Sequence, residues 1–185
     1  NLTRDHLDYH KTFKDYLNSK LILFNKLLLD KGNIIFENGI TQEKELNKMF
    51  PNTKVNFIKD DVKYYDFKNC SLVTSIFTLQ FMSPKDRQDV LNRVYKGLNT
   101  GGAFIFSEKT FSCNPRVQDM MTFMYYDYKR KNFSDKDILD KEVQLRHMMK
   151  PNTKTELYKM VQDAGFEIHT FWQNFNFVGV IGLKK

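Results

Sequence analysis

The sequence predicts an α/β protein, and three observations predict it. Between Leu72 and Lys109 the run LVTSIFTLQFMSPKDRQDVLNRVYKGLNTGGAFIFSEK passes from an apolar stretch through a helical period to a second apolar stretch. That is the order of a strand, a crossover helix and a second parallel strand. The chain is long and apolar enough to build a core, since 185 residues with 41% apolar and 15% aromatic content argue against disorder. Its last apolar runs, Ile168 to Phe171 and Phe175 to Leu183, read as a final strand pair joined by Gln173-Asn174.

Taken in order, residues 10–29 have helical apolar spacing at Phe13, Leu17, Leu21, Phe24, Leu27 and Leu28. Lys31-Gly32-Asn33 ends that helix. Ile34 to Phe36 is a short strand before the turn dipeptide Asn38-Gly39. Thr41 with Glu43 and Glu45 opens a helix through Met49 that Pro51 closes, and Val55 to Ile58 is extended again.

The apolar run Leu72 to Phe81 holds β-branched and aromatic residues and is too short for a typical helix. Ser83, Pro84 and Asp86 then supply an N-cap, a proline at the first helical position and an acid near the positive helix end. Val90, Leu91, Val94, Tyr95 and Leu98 share one helical face, and Asn99-Thr100-Gly101-Gly102 stops the helix before a strand at Ala103 to Phe106.

Downstream, a helix from about Arg116 to Lys131 carries the stripe Val117, Met120, Met121, Met124, Tyr125 and Tyr128, read as adaptable core wide enough to serve a subunit contact. Ile138, Leu139, Leu145, Met148 and Met149 mark the next helix. Thr153 and Glu156 make a capping box for another, with Leu157, Met160, Val161 and Ala164 inward and Gly165 as its C-cap. His169 and Trp172 read as strand residues, and His147 has no acid partner visible in sequence.

A formal charge of +7 suits an anionic partner such as RNA, but 22 acids interleave with 29 bases, which reads as solvated surface. Cys70 and Cys113 lie far apart in no metal-like spacing and suggest a reducing compartment. With no apolar run of membrane-spanning length and no visible secretory leader, the expectation is a cytoplasmic protein.

Several linked motifs, FTLQF (Phe77 to Phe81), Arg87-Gln88, VYKGLN (Val94 to Asn99), Gly101-Gly102, SEK (Ser107 to Lys109), DYKR (Asp127 to Arg130), AGFE (Ala164 to Glu167) and FNF (Phe175 to Phe177), stand in one order. Over roughly residues 55–185 this pattern resembles the carboxy-S-adenosyl-L-methionine synthase family, a branch of the class I methyltransferases serving wobble-uridine modification in tRNA. The resemblance implies a Rossmann-like sheet, here incomplete at its N-terminal cofactor-binding part, because the only candidate for the glycine-rich turn is Phe36-Glu37-Asn38-Gly39. It implies S-adenosyl-L-methionine or carboxy-S-adenosyl-L-methionine as cofactor, prephenate as carboxyl donor to a cofactor ylide, a homodimer and a tRNA-modifying enzyme as partner.

By the same resemblance the cofactor-binding residues are Asp61 and Val62, beside adenine, and Ile76 and Phe77. A solvated turn acid is the other reading of Asp61. Ile76 stands where the family has an asparagine, and it neither donates nor accepts a hydrogen bond. Glu142 falls where the family presents an arginine to the extra carboxylate, so that like charges would meet there, with Arg146 one helical turn away.

The first 38 residues resemble a different family. NLTRDHLDYH, followed by Ser19-Lys20 and Leu23-Phe24, is similar to the ATP-binding domain of Mur ligases of the UDP-MurNAc-tripeptide synthetase type. That implies a magnesium-holding role for His6 and a carbamylated Lys20. The chain has no GxxxxGK[ST] phosphate loop to go with them. Residues 1–38 are thus a Mur-ligase-like segment, 39–54 a junction and 55–185 a methyltransferase-like domain. Two further readings stand beside the synthase: a catalytically dead dimerisation or binding module, and a Mur ligase fragment.

Overall fold

The computed structural model describes residues 33–36 and 56–185, which fall in two compact units divided between Tyr65 and Asp66. In the first unit, β1 (Asn33–Phe36) and β2 (Asn56–Lys59) pair in parallel, with Asn33 opposite Asn56 and Phe36 opposite Lys59. Both short strands therefore form where the sequence predicts them. The helices expected at 10–29 and 41–49, the turn at Asn38-Gly39, and His6 and Lys20 lie outside the described residues.

The second unit is built on β3 (Cys70–Ile76) and β4 (Leu98–Phe111), parallel neighbours joined by helix α1 (Pro84–Gly97). Beyond β4 come β7 (Phe177–Leu183) and then β6 (Glu167–Asn174), both pairings antiparallel, so the order is β3-β4-β7-β6. A two-residue strand, β5 (Asn152–Thr153), adds to β4 at Thr110 and Phe111. Helices α2 (Pro115–Lys129), α3 (Asp135–Arg146) and α4 (Lys154–Asp163) complete the unit. None of the described helices is long and apolar enough to cross a membrane.

The core follows from the periodicities. Val90, Leu91 and Val94 of α1 and Leu157 and Val161 of α4 are buried, as are Phe104 and Phe106 of β4 and Val178 and Val180 of β7. Phe104 and Phe106, two apart on one face of their strand, stack at 4.9 Å, and Phe166 joins them against Tyr95. Each such side chain removes about 1.5–3 kcal/mol worth of apolar surface from water. The capping box of α4 forms as expected, with Thr153 accepting from the Glu156 amide and Glu156 from the Thr153 amide.

The final turn falls at Phe175-Asn176 rather than Gln173-Asn174, because β6 runs on through Asn174, and α3 stops at Arg146, short of Met148 and Met149. Three further elements differ from the sequence expectation. The first strand of the crossover unit ends at Ile76 rather than Phe81, because Phe77 turns left-handed (φ 51°) and a 3-10 turn, Leu79–Phe81, follows. Helix α1 ends at Gly97, and the two glycines after it lie in the long β4, where the register against β3 jumps from Leu98 to Ala103. A side chain at Gly97 would meet the Phe67 carbonyl at 2.3 Å, which accounts for glycine there.

The third difference is a correction. The α2 stripe expected as core is not buried: Met120, Met124 and Tyr128 are each more than half exposed, and α2 buries no residue. Only its C-terminal part makes ring contacts with the sheet, through Tyr125 and Tyr128 on Phe175 and Phe177 at the β6–β7 turn.

Candidate functional site

In a parallel α/β sheet, ligands bind beyond the carboxyl ends of the strands. At that rim the segment after β3 is fastened to the end of β4 by five hydrogen bonds. The Phe77 amide donates to the Ser107 carbonyl at 2.8 Å. Glu108 Oε1 accepts from the Thr78 and Leu79 amides at 3.1 and 2.9 Å, and its Oε2 from the Gln80 amide at 2.7 Å. The Lys109 amide returns a bond to Gln80 Oε1 at 2.7 Å. An ordinary intramolecular hydrogen bond contributes about 0.5–1.5 kcal/mol. Three of them are of the size of the strain of a left-handed phenylalanine, which is about 1–3 kcal/mol.

Glu108 is buried, at 2% exposure. Burial pushes its carboxyl up to about 7, against the pull of the Leu79, Gln80 and Thr78 amides and of Arg87. Arg87, equally buried, holds the far side of the same turn. Its Nη2 donates to the Met82 carbonyl at 2.9 Å, to Lys150 O and, at 3.4 Å, to Gln80 O, while Nη1 donates to Asn152 Oδ1. Burial lowers the guanidinium's pKa and Glu108 raises it. One turn is thus clamped between an acid on β4 and a base on α1.

Beside this clamp lies a half-covered polar cluster. Lys109 and Lys129 both reach Glu142 Oε1, at 3.9 and 3.6 Å. The Lys129 ammonium also sits 4.4 Å from the centre of the Tyr125 ring, and that of Lys109 is 6.0 Å from both Tyr125 and Phe177. Burial lowers the Lys129 pKa, with Glu142 opposing, and burial followed by Glu142 and Tyr128 pushes the Tyr125 hydroxyl up to about 12. The Glu142 carboxylate is therefore held by two cations.

The predicted site residues divide between the units. Asp61 and Val62 belong to the first. There Asp61 Oδ1 accepts from the Lys63 amide at 2.9 Å and Oδ2 pairs with Lys63 Nζ at 3.4 Å, in a turn that Tyr64 N closes onto Asp61 O. Ile76 and Phe77 belong to the second unit, adjacent at the end of β3, with exposed side chains; Phe77 meets Phe177 edge-on at 5.7 Å. Arg146, offered as a substitute cation, ends α3 as an exposed residue. Sequence reasoning assigned no role to Gln80, Arg87, Glu108, Lys109 or Lys129. Gln80 alone carried a signal as a polar residue inside an otherwise apolar motif, FTLQF.

Residues 1–90 match the Mur ligase middle domain family. The chain is also 34% identical, over 168 residues, to the carboxy-S-adenosyl-L-methionine synthase of Staphylococcus epidermidis, covering 85% of this chain and 74% of that protein. The chain belongs to the carboxy-S-adenosyl-L-methionine synthase family. With the synthase of Shewanella baltica it shares 34% identity over 144 residues, 77% of this chain and 59% of that one. The fold agrees: the S-adenosylmethionine-dependent methyltransferase SibL superposes with a TM-score of 0.60 at 12% identity, over 91% of this chain and 47% of that chain. This member of the carboxy-S-adenosyl-L-methionine synthase family thus spans from three quarters to under half the length of these proteins, and its sheet is a class I methyltransferase sheet.

Proposed function

We propose that the chain is a carboxy-S-adenosyl-L-methionine synthase-like transferase that binds S-adenosyl-L-methionine, or its carboxylated form, beyond the carboxyl ends of β3 and β4. The observation that supports this best is the meeting of two family motifs, FTLQF and SEK, at that rim. The residues present fit a nucleoside in part. Within the second unit Phe77 offers an exposed ring and Ile76 only apolar contact; in the first unit Asp61 keeps the role of accepting from an exocyclic amine only as the family resemblance implies it. When bound, the cofactor supplies the one-carbon unit; the protein's residues hold it and exclude water.

In this reading prephenate is the carboxyl donor and the product serves tRNA wobble-uridine modification in the cytoplasm, with a homodimer as the working form. Glu142 does not meet a donor carboxylate bare, since Lys109 and Lys129 flank it and leave one positive charge in excess. Residues 1–38, 39–54 and 55–185 remain our division into Mur-ligase-like segment, junction and methyltransferase-like domain.

A second reading has its own support. The exposed α2 stripe of Met120, Phe123, Met124 and Tyr128 favours a non-catalytic dimerisation or binding module that retains the fold, including one that binds a tRNA-modifying enzyme. Calorimetry with S-adenosyl-L-methionine, and with S-adenosylhomocysteine as second ligand, separates the two. Micromolar affinity supports the transferase. No heat from a chain that circular dichroism shows to be folded leaves the module.

A further inference from the structure

We propose that Glu108 is a positioning residue: its carboxylate, by taking three consecutive amides, holds the Phe77–Gln80 turn in the one shape that presents Ile76 and Phe77 at the sheet's ligand edge. The role assigned to the turn rests on the cofactor reading above; the grip itself does not.

The geometry carries the inference in three steps. Phe77 has a left-handed backbone (φ 51°), which a bulky side chain adopts only when its surroundings impose it. Its own amide is held by Ser107, but the next three amides, which open the 3-10 turn and have no partner within it, all point at Glu108. A carboxylate is the one side chain that accepts at two oxygens and donates at neither. An alanine would leave all three amides without an acceptor, and a glutamine would present an N–H₂ where Gln80 needs an oxygen.

The charged group that faces Glu108 is Arg87 on α1, acting from the other side of the turn. Lys109, its neighbour on β4, turns instead to Glu142. Among the described residues, Arg87 is the charged side chain that acts on the Glu108 carboxyl.

Amide hydrogen exchange on the full chain at pH 8, with and without S-adenosylhomocysteine, tests the proposal in wild type, Glu108→Gln and Glu108→Ala. In Glu108→Gln the Gln80 amide should exchange about 10-fold faster, the equivalent of one hydrogen bond, while Thr78 and Leu79 stay within about 3-fold of wild type. In Glu108→Ala all three should lose protection together, and affinity for S-adenosylhomocysteine should fall by about 10-fold or more. Should the alanine variant not fold, the glutamine pattern still decides.

Uniform loss of protection across the second unit in Glu108→Gln, or unchanged protection at Gln80, overturns the grip. Loss of protection at the turn in Glu108→Ala with undiminished affinity overturns its role in positioning the site. A wild type that does not bind S-adenosylhomocysteine overturns the cofactor reading and that role, while the exchange pattern, which needs no ligand, judges the grip on its own.

Discussion

Two neighbouring regions of the second unit invert the usual rule of burial. The rim of β3 and β4 buries an acid, a base and an amide, Glu108, Arg87 and Gln80, while helix α2 exposes methionines and a phenylalanine. Polarity is tolerated inside because these groups find partners in place, the Arg87 Nε excepted. Glu108 accepts three amides, Arg87 donates to three carbonyls and an amide oxygen, and Gln80 both accepts and donates. The apolar stripe of α2 stays outside, and the rings by which the helix meets the β6–β7 end of the sheet are Tyr125 and Tyr128. The difference teaches that connection, not hydropathy, decides what this unit can bury.

The strongest way to break the contrast is to remove the base. Arg87→Met leaves four acceptors around an apolar side chain and Glu108 without its counter-charge, and unfolding in urea should show a loss of about 3–5 kcal/mol. A second test uses acidity. Because burial raises the folded Glu108 carboxyl from an ordinary 4.5 to about 7, the neutral form is favoured in the folded chain, so its contribution is full below about pH 4.5 and disappears as pH rises through about 7. Urea stability at pH 5 should exceed that at pH 8 by up to about 3 kcal/mol, and Glu108→Gln should remove that part of the slope. The carboxylates of Glu156, Asp137 and Glu167, held below their ordinary values by hydrogen bonds or a lysine, lose stability only at lower pH and do not confuse the window.

Within α2 the contrast can be sharpened on a single helix. Tyr125→Leu removes a ring that meets Phe175, Phe177 and the Lys129 ammonium, and a thermal or urea melt should record about 1 kcal/mol. Met120→Lys, on the exposed part of the stripe, should change stability by less than about 0.5 kcal/mol. A large loss there would mean that a second surface covers the helix in solution.

Much of the fold was legible in the residues because it depends on local pattern. The helical faces of α1 and α4, the Thr153–Glu156 capping box and the parallel unit around α1 follow from spacing and capping chemistry that a few consecutive residues carry. The candidate site was less legible. Ile76 and Phe77 were marked, yet Glu108, thirty positions after Thr78 in the chain, had no apparent partner until β4 was laid beside β3.

By itself, then, the sequence determined the α/β class, the order of elements in the second unit and the family to which they belong, since these rest on periodicity and on motifs read along the chain. Only the tertiary structure decided that the strand stops at Ile76, that the α2 stripe stays exposed and that an acid and a base clamp the turn at the sheet's edge. The physical reason is range. Periodicity is a property of neighbours, whereas the pairing that makes a buried charge tolerable joins residues that meet only when strands from distant parts of the chain lie side by side.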